Sequence, residues 1–447
     1  MLGLPALLFL YSITWAGIWD PYELNVADLA RRAAIHLFGA ASLVLPGAEN
    51  RIPTLGDLGR GELPITSMAL SFRLFGLSEL SGRLPMALWG IAGLLVLWMW
   101  LRRMVGVRAG TYGVLVLSTM PLYFVQARTM LGDIVTMASL IFSFAGLSVA
   151  LLDPEPRGWA DAGYGLLGVL GLVTGFLCRG GLIGVAVPAL GVGLSALLLL
   201  ANDPEARLGP GRTAAAALLT AAGLGAAILA LRGYAAATPS SYSVWAGVGI
   251  INGQKYATFD TVVHYLGHTL FPWSAFLPLA LGRMFAPPPG VTGSALAREQ
   301  RLRLVVLVGA ALSYGAYAWL SPRAGHLPFA AVGLFAAMGA LVLLDFERGA
   351  HPSRALAVTT CILAALLFED FSRIPEKGLS AFGVSNASFP EGFRKAGERI
   401  LMASTGLFAG LLLLAFIDGD EADKEAAGGG VARSPLIAWN QLVGIGR

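Results

Sequence analysis

Charged side chains are scarce in this chain, so those that break its apolar blocks are the first candidates for chemistry. Asp20, Glu23 and Asp28 follow the first apolar block, and Asp20 and Glu23, three positions apart, share a face if the segment is helical. A carboxylate at a membrane surface can take a proton from a hydroxyl acceptor; the same acids also suit a helix N-terminus. Arg128 and Asp133 lie in the short polar run Gln126-Ala127-Arg128-Thr129-Met130-Leu131-Gly132-Asp133. An arginine there offers a fixed fork of donors to an anionic head group, and Asp133 either orients it or caps the helix that starts at Ile134. Arg179 stands alone in the apolar stretch 162–200, either as a snorkelling anchor or as a phosphate clamp below the surface. Lys255, Tyr256, Asp260, His264 and His268 lead into Phe271-Pro272-Trp273-Ser274, and Arg323 and His326 fall in a tight turn after Ser321. His264 and His268 are four apart and, with a carboxylate, could hold a divalent metal ion. The residues between them, Tyr265, Leu266 and Gly267, include no glutamate of the kind zinc peptidases place there. Cys178 and Cys361 lie in or beside apolar blocks and read as small buried side chains, not as a disulfide or a thiolate site.

The elements that must position these residues are membrane spans. Of 447 residues, 56% are hydrophobic and 13% charged, with a mean hydropathy of +0.70. A soluble domain carries about 25% charged residues. The apolar residues come in blocks close to the roughly 20 residues that a bilayer span needs. The pattern predicts an all-α polytopic membrane protein of about twelve transmembrane helices (range about 11–13). They fall near 2–18, 84–101, 109–125, 134–152, 162–177, 181–200, 213–231, 264–282, 304–320, 327–345, 354–368 and 400–417. The first block has no basic segment before it and no small-residue cleavage site after it, and is read as a span. Arg102, Arg103 and Arg108, then Arg283, Arg298, Arg301 and Arg303, then Arg348 and Arg354, cluster in three breaks that the positive-inside bias assigns to the cytoplasm. The opposite, outer side then receives 19–83, 126–133, the Arg179 break, 232–263, 321–326 and 369–399.

Residues 1–417 form one transmembrane domain, and 418–447, acidic and then glycine-rich, read as a cytoplasmic tail. Within the long first loop, Pro21–Phe38 and Pro64–Phe75 have amphipathic periodicity and are expected as juxtamembrane helices lying over the span ends. The net charge of +4 does not point to nucleic acid, because the arginines sit in short breaks and no basic groove is interleaved with stacking aromatics. Several arginines, a lysine and histidines around a few carboxylates on the outer side suit a phosphate-bearing substrate held at the membrane interface.

The order of these segments resembles the polytopic lipid-linked-sugar glycosyltransferases of the GT-C fold, the superfamily of aminoarabinose transferases and protein O-mannosyltransferases. The residues that carry the resemblance are Trp19-Asp20-Pro21-Tyr22-Glu23, Val26-Ala27-Asp28-Leu29-Ala30-Arg31, Leu63-Pro64, and Ser71-Phe72-Arg73-Leu74-Phe75-Gly76 with Arg83-Leu84-Pro85. They continue with Gln126-Ala127-Arg128-Thr129 and Asp133, Gly175-Phe176-Leu177-Cys178-Arg179-Gly180, Pro272-Trp273-Ser274 and His326-Leu327-Pro328, over about residues 1–345.

The resemblance implies an inverting transfer of a sugar from a polyprenyl-phosphate donor to a lipid, glycan or protein acceptor. It places the reaction at the periplasmic or outer face of a bacterial inner membrane. It implies Glu23, or second Asp20, as the base, and Arg128 and Arg179, joined by Arg323, on the donor phosphate; Asp133, Tyr22 and, from their place on the outer side, Lys255, Tyr256, His264 and His326 are read as residues that bind or orient substrate. Where the family often has adjacent Asp-Glu, this chain has Tyr22-Glu23; the family's lysine before proline falls on Leu63, with Arg60 as its substitute; and Cys178 precedes Arg179 where the family has threonine before lysine. No cofactor is required by this chemistry, with a divalent metal ion at His264 and His268 as the one option. Two other classes share the same outline: a transporter or flippase of a lipid-linked or anionic solute, although no paired repeat is evident, and a non-catalytic membrane scaffold.

Overall fold

The computed structural model describes residues 3–15, 17–54, 57, 61–155, 158–202, 208–236, 242–243, 248–249, 266–321, 327–350 and 354–373, with a few isolated positions between 395 and 410. The described elements are helical apart from a two-stranded antiparallel ladder, Tyr242–Ser243 with Val248–Gly249. Five described helices are long and apolar enough to cross a membrane: Glu79–Met104, Asp133–Leu152, the run Trp159–Ala201, Pro210–Arg232 and Gly293–Leu320. The all-α polytopic architecture stands on these; the expected span near 400–417 lies almost wholly outside the described residues.

A short helix α1 (Gly3–Leu10) ends in turns through Trp15, so the first apolar block forms a shorter helix than expected. Helices α2 (Tyr22–Phe38) and α3 (Glu62–Phe75) occupy the first loop within two residues of the stretches whose periodicity predicts them. They pack on each other, and α3 also packs on α4 (Glu79–Met104), which opens with a Ser78/Ser81 capping box. The block expected as one span at 109–125 is two helices, α5 (Val107–Thr119) and α6 (Pro121–Arg128). Pro121 is the cause: its ring disfavours helical geometry in the preceding residue, and Met120 sits at φ −70°, ψ 121°.

Helix α7 (Asp133–Leu152) is the hub, with 94% of its apolar window buried and contacts to α4, α8 and α9. Its Ser139 and Ser143 turn their hydroxyls back to the carbonyls of Val135 and Ser139, at 2.7 and 3.0 Å, which hides polar groups inside the bundle. Helix α8 (Trp159–Gly181) lies against it through Gly146, Gly168 and Gly171, where a Cβ would overlap the facing helix. Arg179 then leaves helical geometry (φ −136°, ψ 26°) and Gly180 takes φ 63°, before a π turn (Leu182–Ala186) leads into α9 (Val187–Asn202). The backbones of Gly175 and Gly184 touch. In a straight helix they would lie about 13.5 Å apart at 1.5 Å per residue. The chain therefore folds back, and the apolar stretch is a helical hairpin with Arg179 at its tip, two spans as the sequence suggests.

Helix α10 (Pro210–Ala236) packs on α9; α11 (Leu277–Met284), α12 (Gly293–Leu320), α13 (Val332–Glu347) and α14 (Arg354–Arg373) complete the described bundle. The end away from Arg179 is rich in ion pairs. Arg103 meets Asp153 at 2.6 Å, Arg212 meets Asp161 at 3.2 Å, and Arg303 joins Glu299 at 2.7 Å and Asp345 at 2.6 Å. Arg283 reaches Asp345 at 2.9 Å, and Arg348 reaches Glu299 at 2.8 Å. The arginine-bearing breaks of the sequence thus gather at one end of the bundle.

Candidate functional site

The opposite end brings three separate stretches together. A Cβ on Gly61, just before α3, would overlap the Cys178 carbonyl at the hairpin tip, and one on Gly132, in the turn between α6 and α7, would stand 2.9 Å from Pro64 Cβ. Both glycines have positive φ (87° and 90°), so the close approach and the turn both need residues without a Cβ. The start of α3, the α6–α7 turn and the hairpin tip therefore meet at one place.

Asp133 and Arg179 form an ion pair there, with side chains only 3% and 4% exposed. Gln126 approaches the other carboxylate oxygen of Asp133 at 3.4 Å. The cap expected of Asp133 is not what it does: α7 begins at Asp133, Gly132 takes the cap position, and no side chain caps the helix. A first-turn acid still meets the positive end of the helix dipole. Arg179 does not snorkel to a surface; it turns inward to Asp133. Cys178 beside it is fully buried, as its apolar surroundings suggest, whereas Cys361, expected to be buried too, is exposed on α14.

Glu23 is fully buried and accepts four hydrogen bonds. Arg83 Nε and Nη2 donate to its two oxygens at 3.0 and 2.6 Å, the Met130 amide donates at 2.7 Å, and the Trp19 amide at 2.9 Å. Arg83 also donates to the carbonyls of Ile13, at 2.7 Å, and Gly17. This charge pair ties the start of α2 to α4, to the end of the first apolar block and to the α6–α7 turn. Arg83 did not stand out in the sequence as Glu23's partner. The available signal was its position, an ionisable group at the entrance of an apolar block.

Asp20 lies exposed on the same connection, and Tyr22 is half-buried. Arg128, also half-buried, donates to the carbonyls of Leu8 and Ser12, the latter at 3.1 Å, and stacks over Phe124 at 5.3 Å. Glu23, Arg128, Asp133 and Arg179 are thus all held on or against the α6–α7 turn.

Asp28 belongs to a different assembly. It pairs with Arg31 at 2.7 Å and Arg32 at 3.0 Å, while Arg31 gathers the carbonyls of Leu43 and Glu49 and the side chain of Asn50. These bonds fold the segment after α2 back along it. Farther on, Thr54 donates its amide and hydroxyl to Asp57, which holds that carboxyl below its ordinary range.

Arg60, Lys255, Tyr256, His264, Arg323 and His326 lie outside the described residues. His268 is buried and sits 2.9 Å from Asp370. Among the described residues no group of three or more histidines, cysteines and carboxylates is arranged to hold a metal ion. Of the pair suggested to hold a metal ion, His264 lies outside the described residues. Trp273, in the Pro272-Trp273-Ser274 motif, donates to Thr119 at 2.9 Å and pins α11 to the end of α5.

The sequence profile of the dolichyl-phosphate-mannose-protein mannosyltransferases matches residues 66–229, a stretch that holds Arg83, Arg128, Asp133 and Arg179. A crystal structure of ArnT from Cupriavidus metallidurans bound to undecaprenyl phosphate superposes with a TM-score of 0.59 at 18% identity, over 93% of this chain and 70% of that one. The apo structure of the same protein gives a TM-score of 0.57 at 17% identity, over the same shares of the two chains.

Proposed function

We infer that this chain, which has the GT-C fold of the polytopic lipid-linked-sugar glycosyltransferases, moves a sugar from a polyprenyl-phosphate donor to an acceptor at the outer face of a membrane. The observation that carries the reading is the meeting of the α3 start, the α6–α7 turn and the hairpin tip around Asp133 and Arg179. ArnT binds undecaprenyl phosphate, and a lipid-borne phosphate explains why arginines are spent this deep in an apolar bundle. In this reading Arg179, held in place by Asp133, and Arg128 face the donor phosphate. An acceptor hydroxyl attacks the anomeric carbon and forms the new glycosidic bond. The bond from that carbon to the phosphate oxygen breaks, and the arginines take up the charge on the departing polyprenyl phosphate. The acceptor's proton passes to a carboxylate. Asp20 is the better choice, because it is exposed, whereas Glu23 already accepts four hydrogen bonds. Glu23 then holds the turn that carries Arg128 and Asp133. Arg60 and Arg323 as further phosphate contacts, and Lys255, Tyr256, His264 and His326 as acceptor contacts, remain part of the proposal.

The saturation of Glu23 favours one second reading, a protein that holds a lipid-linked sugar without transferring it. One experiment separates the two: purified protein is given a polyprenyl-phosphate sugar and a panel of lipid, glycan and peptide acceptors, and donor binding is measured alongside transfer. We expect transfer by the wild type and a loss of at least ~100-fold in Asp20→Asn, the scale of a lost general base, with donor affinity unchanged. Donor binding with no transfer to any acceptor supports the second reading, and absence of both overturns the two together.

A further inference from the structure

The two helices of the first loop end in an apolar corner. Leu37 and Phe38 close α2, Leu74 and Phe75 close α3, and Leu77 and Leu80 stand in the turn before α4 and in its first residues. All six are exposed, Leu74 by 65% and Phe75 by 67%. Hydrogen bonds fix the backbone that displays them. Arg73 Nε donates to the Phe38 carbonyl at 3.2 Å and ties the two helix ends together. The Gly76 amide donates to the Phe72 carbonyl at 2.9 Å, and the Ser81 hydroxyl donates to the Gly76 carbonyl at 2.6 Å, which joins the end of α3 to the start of α4.

Two observations say what lies against this corner. The first is continuity. Leu80, Leu84, Leu88, Ile91 and Leu95 recur every three or four residues along α4, each exposed or half-buried, while other sides of the helix pack on α5 and α7. On a spanning helix such a stripe faces lipid, and here it leads down to the exposed Arg102, which lies over the Trp98 ring at 4.8 Å. The second is level. Twenty residues of helix rise about 30 Å, the thickness of a hydrocarbon core. Counted from Arg102, the far boundary falls at about Gly82, and Leu80 stands just beyond it.

We propose that this corner is a membrane anchor, with the ends of α2 and α3 entering the leaflet beside α4 at the boundary between head groups and acyl chains. The occupant is lipid, because the corner prolongs the lipid-facing stripe of α4 through Leu80 at the level where that stripe leaves the core. Arg73, exposed beside it, has a stem long enough to keep its charge among head groups. Amphipathic periodicity asks only that α2 and α3 lie over the span ends; the corner assigns the side chains that enter lipid. Helix α3 then has one end in the membrane and its start against the Cys178 carbonyl, about 21 Å away at 1.5 Å per residue. The membrane surface thereby sets the position of a helix that helps to build the hairpin-tip junction. The anchor does not depend on sugar transfer.

The test uses the full-length protein in phosphatidylcholine vesicles, with a nitroxide label on Phe75→Cys, Leu80→Cys or Thr54→Cys, each in a Cys361→Ser background. Spin-label saturation reads collisions with oxygen, which concentrates in hydrocarbon, and with a water-soluble nickel chelate. At Phe75 and Leu80 oxygen should exceed nickel by at least ~3-fold, as for an apolar side sunk into the interface. At Thr54, exposed and bonded to Asp57, the order should reverse. Leu74→Cys is the second reporter on α3 if the Phe75 variant lowers the melting temperature. Nickel access on α3 equal to that at Thr54 would place the corner in water and overturn the anchor, even with the Leu80 label in lipid. Loss of both kinds of collision would also overturn it, by showing the corner covered by protein, whether another stretch of this chain or a second copy.

Discussion

The buried pair of Glu23 and Arg83 sets the strongest expectation for a single side chain. Removing one partner of such a pair leaves an uncompensated charge in a low-dielectric interior and costs about 3–5 kcal/mol. Arg83→Ala should therefore lower the melting temperature of the detergent-solubilised protein far more than the double variant Glu23→Gln/Arg83→Met, which removes both charges. Similar losses in the two would show that the charges are not coupled. For the pair at the hairpin tip, Asp133→Asn frees Arg179 from its anchor. If Arg179 faces a donor phosphate, binding of a polyprenyl phosphate measured by titration should weaken in Arg179→Gln by at least ~10-fold and less in Arg179→Lys, which keeps the charge but loses the fork. Equal affinity in all three proteins would remove Arg179 from the phosphate site. At this scale the sequence was legible where a charge interrupts a long apolar run, as at Arg179, and Asp133 could be seen as a polar residue in a short break. That these two meet was not legible, because they lie 46 positions apart, and Glu23 and Arg83 lie 60 apart. Side-chain spacing informs within a few turns of helix; partnership across a bundle is set by packing.

Among the elements, the hairpin of α8 and α9 depends on bare backbone contact. Gly184→Val must push its side chain into the Gly175 backbone. Overpacking of this kind costs about 1–3 kcal/mol where neighbours can yield, and facing backbone yields least. The expected outcome is a clear fall in melting temperature and in monodisperse yield, against Gly165→Ala on the same hairpin, whose Cβ would meet only Ala150 at 3.8 Å and which should be neutral or stabilising. Equal behaviour of the two variants would count against the folded-back geometry. The helices of the first loop were legible because Leu24, Ala27 and Ile35, or Ile65, Met68 and Phe72, recur with helical spacing among polar residues. The break between α5 and α6 was missed although its signal, Pro121, is in plain text: hydropathy sees an unbroken apolar block, while the proline ring acts on backbone geometry.

The arrangement of the whole molecule separates an arginine-rich end from the end that holds Asp133 and Arg179. If the first is cytoplasmic, as the positive-inside bias asks, a cysteine placed at Thr54 in a Cys361→Ser background should react with a membrane-impermeant maleimide on intact cells. One placed at Pro289, in the turn between α11 and α12, should react only after lysis. The reverse pattern would invert the protein and move the proposed chemistry to the cytoplasm. Much of the bundle could be drawn from hydropathy, since crossing a bilayer demands long apolar helices and arginines mark their ends. The contacts among helices could not, because an apolar face reads the same whether it meets lipid or another helix.

The bond from the Met130 amide to Glu23 has a mechanical outcome. Three residues farther along the same turn, Asp133 grips Arg179, so two ion pairs, Arg83 with Glu23 and Asp133 with Arg179, are strung on one stiff thread. A negatively charged visitor competing for Arg179 would loosen Asp133, and the displaced carboxylate has a neutral refuge already within reach in Gln126. The tug would then run back along the thread to Trp19, so that the mouth of the first loop feels whatever arrives at the tip.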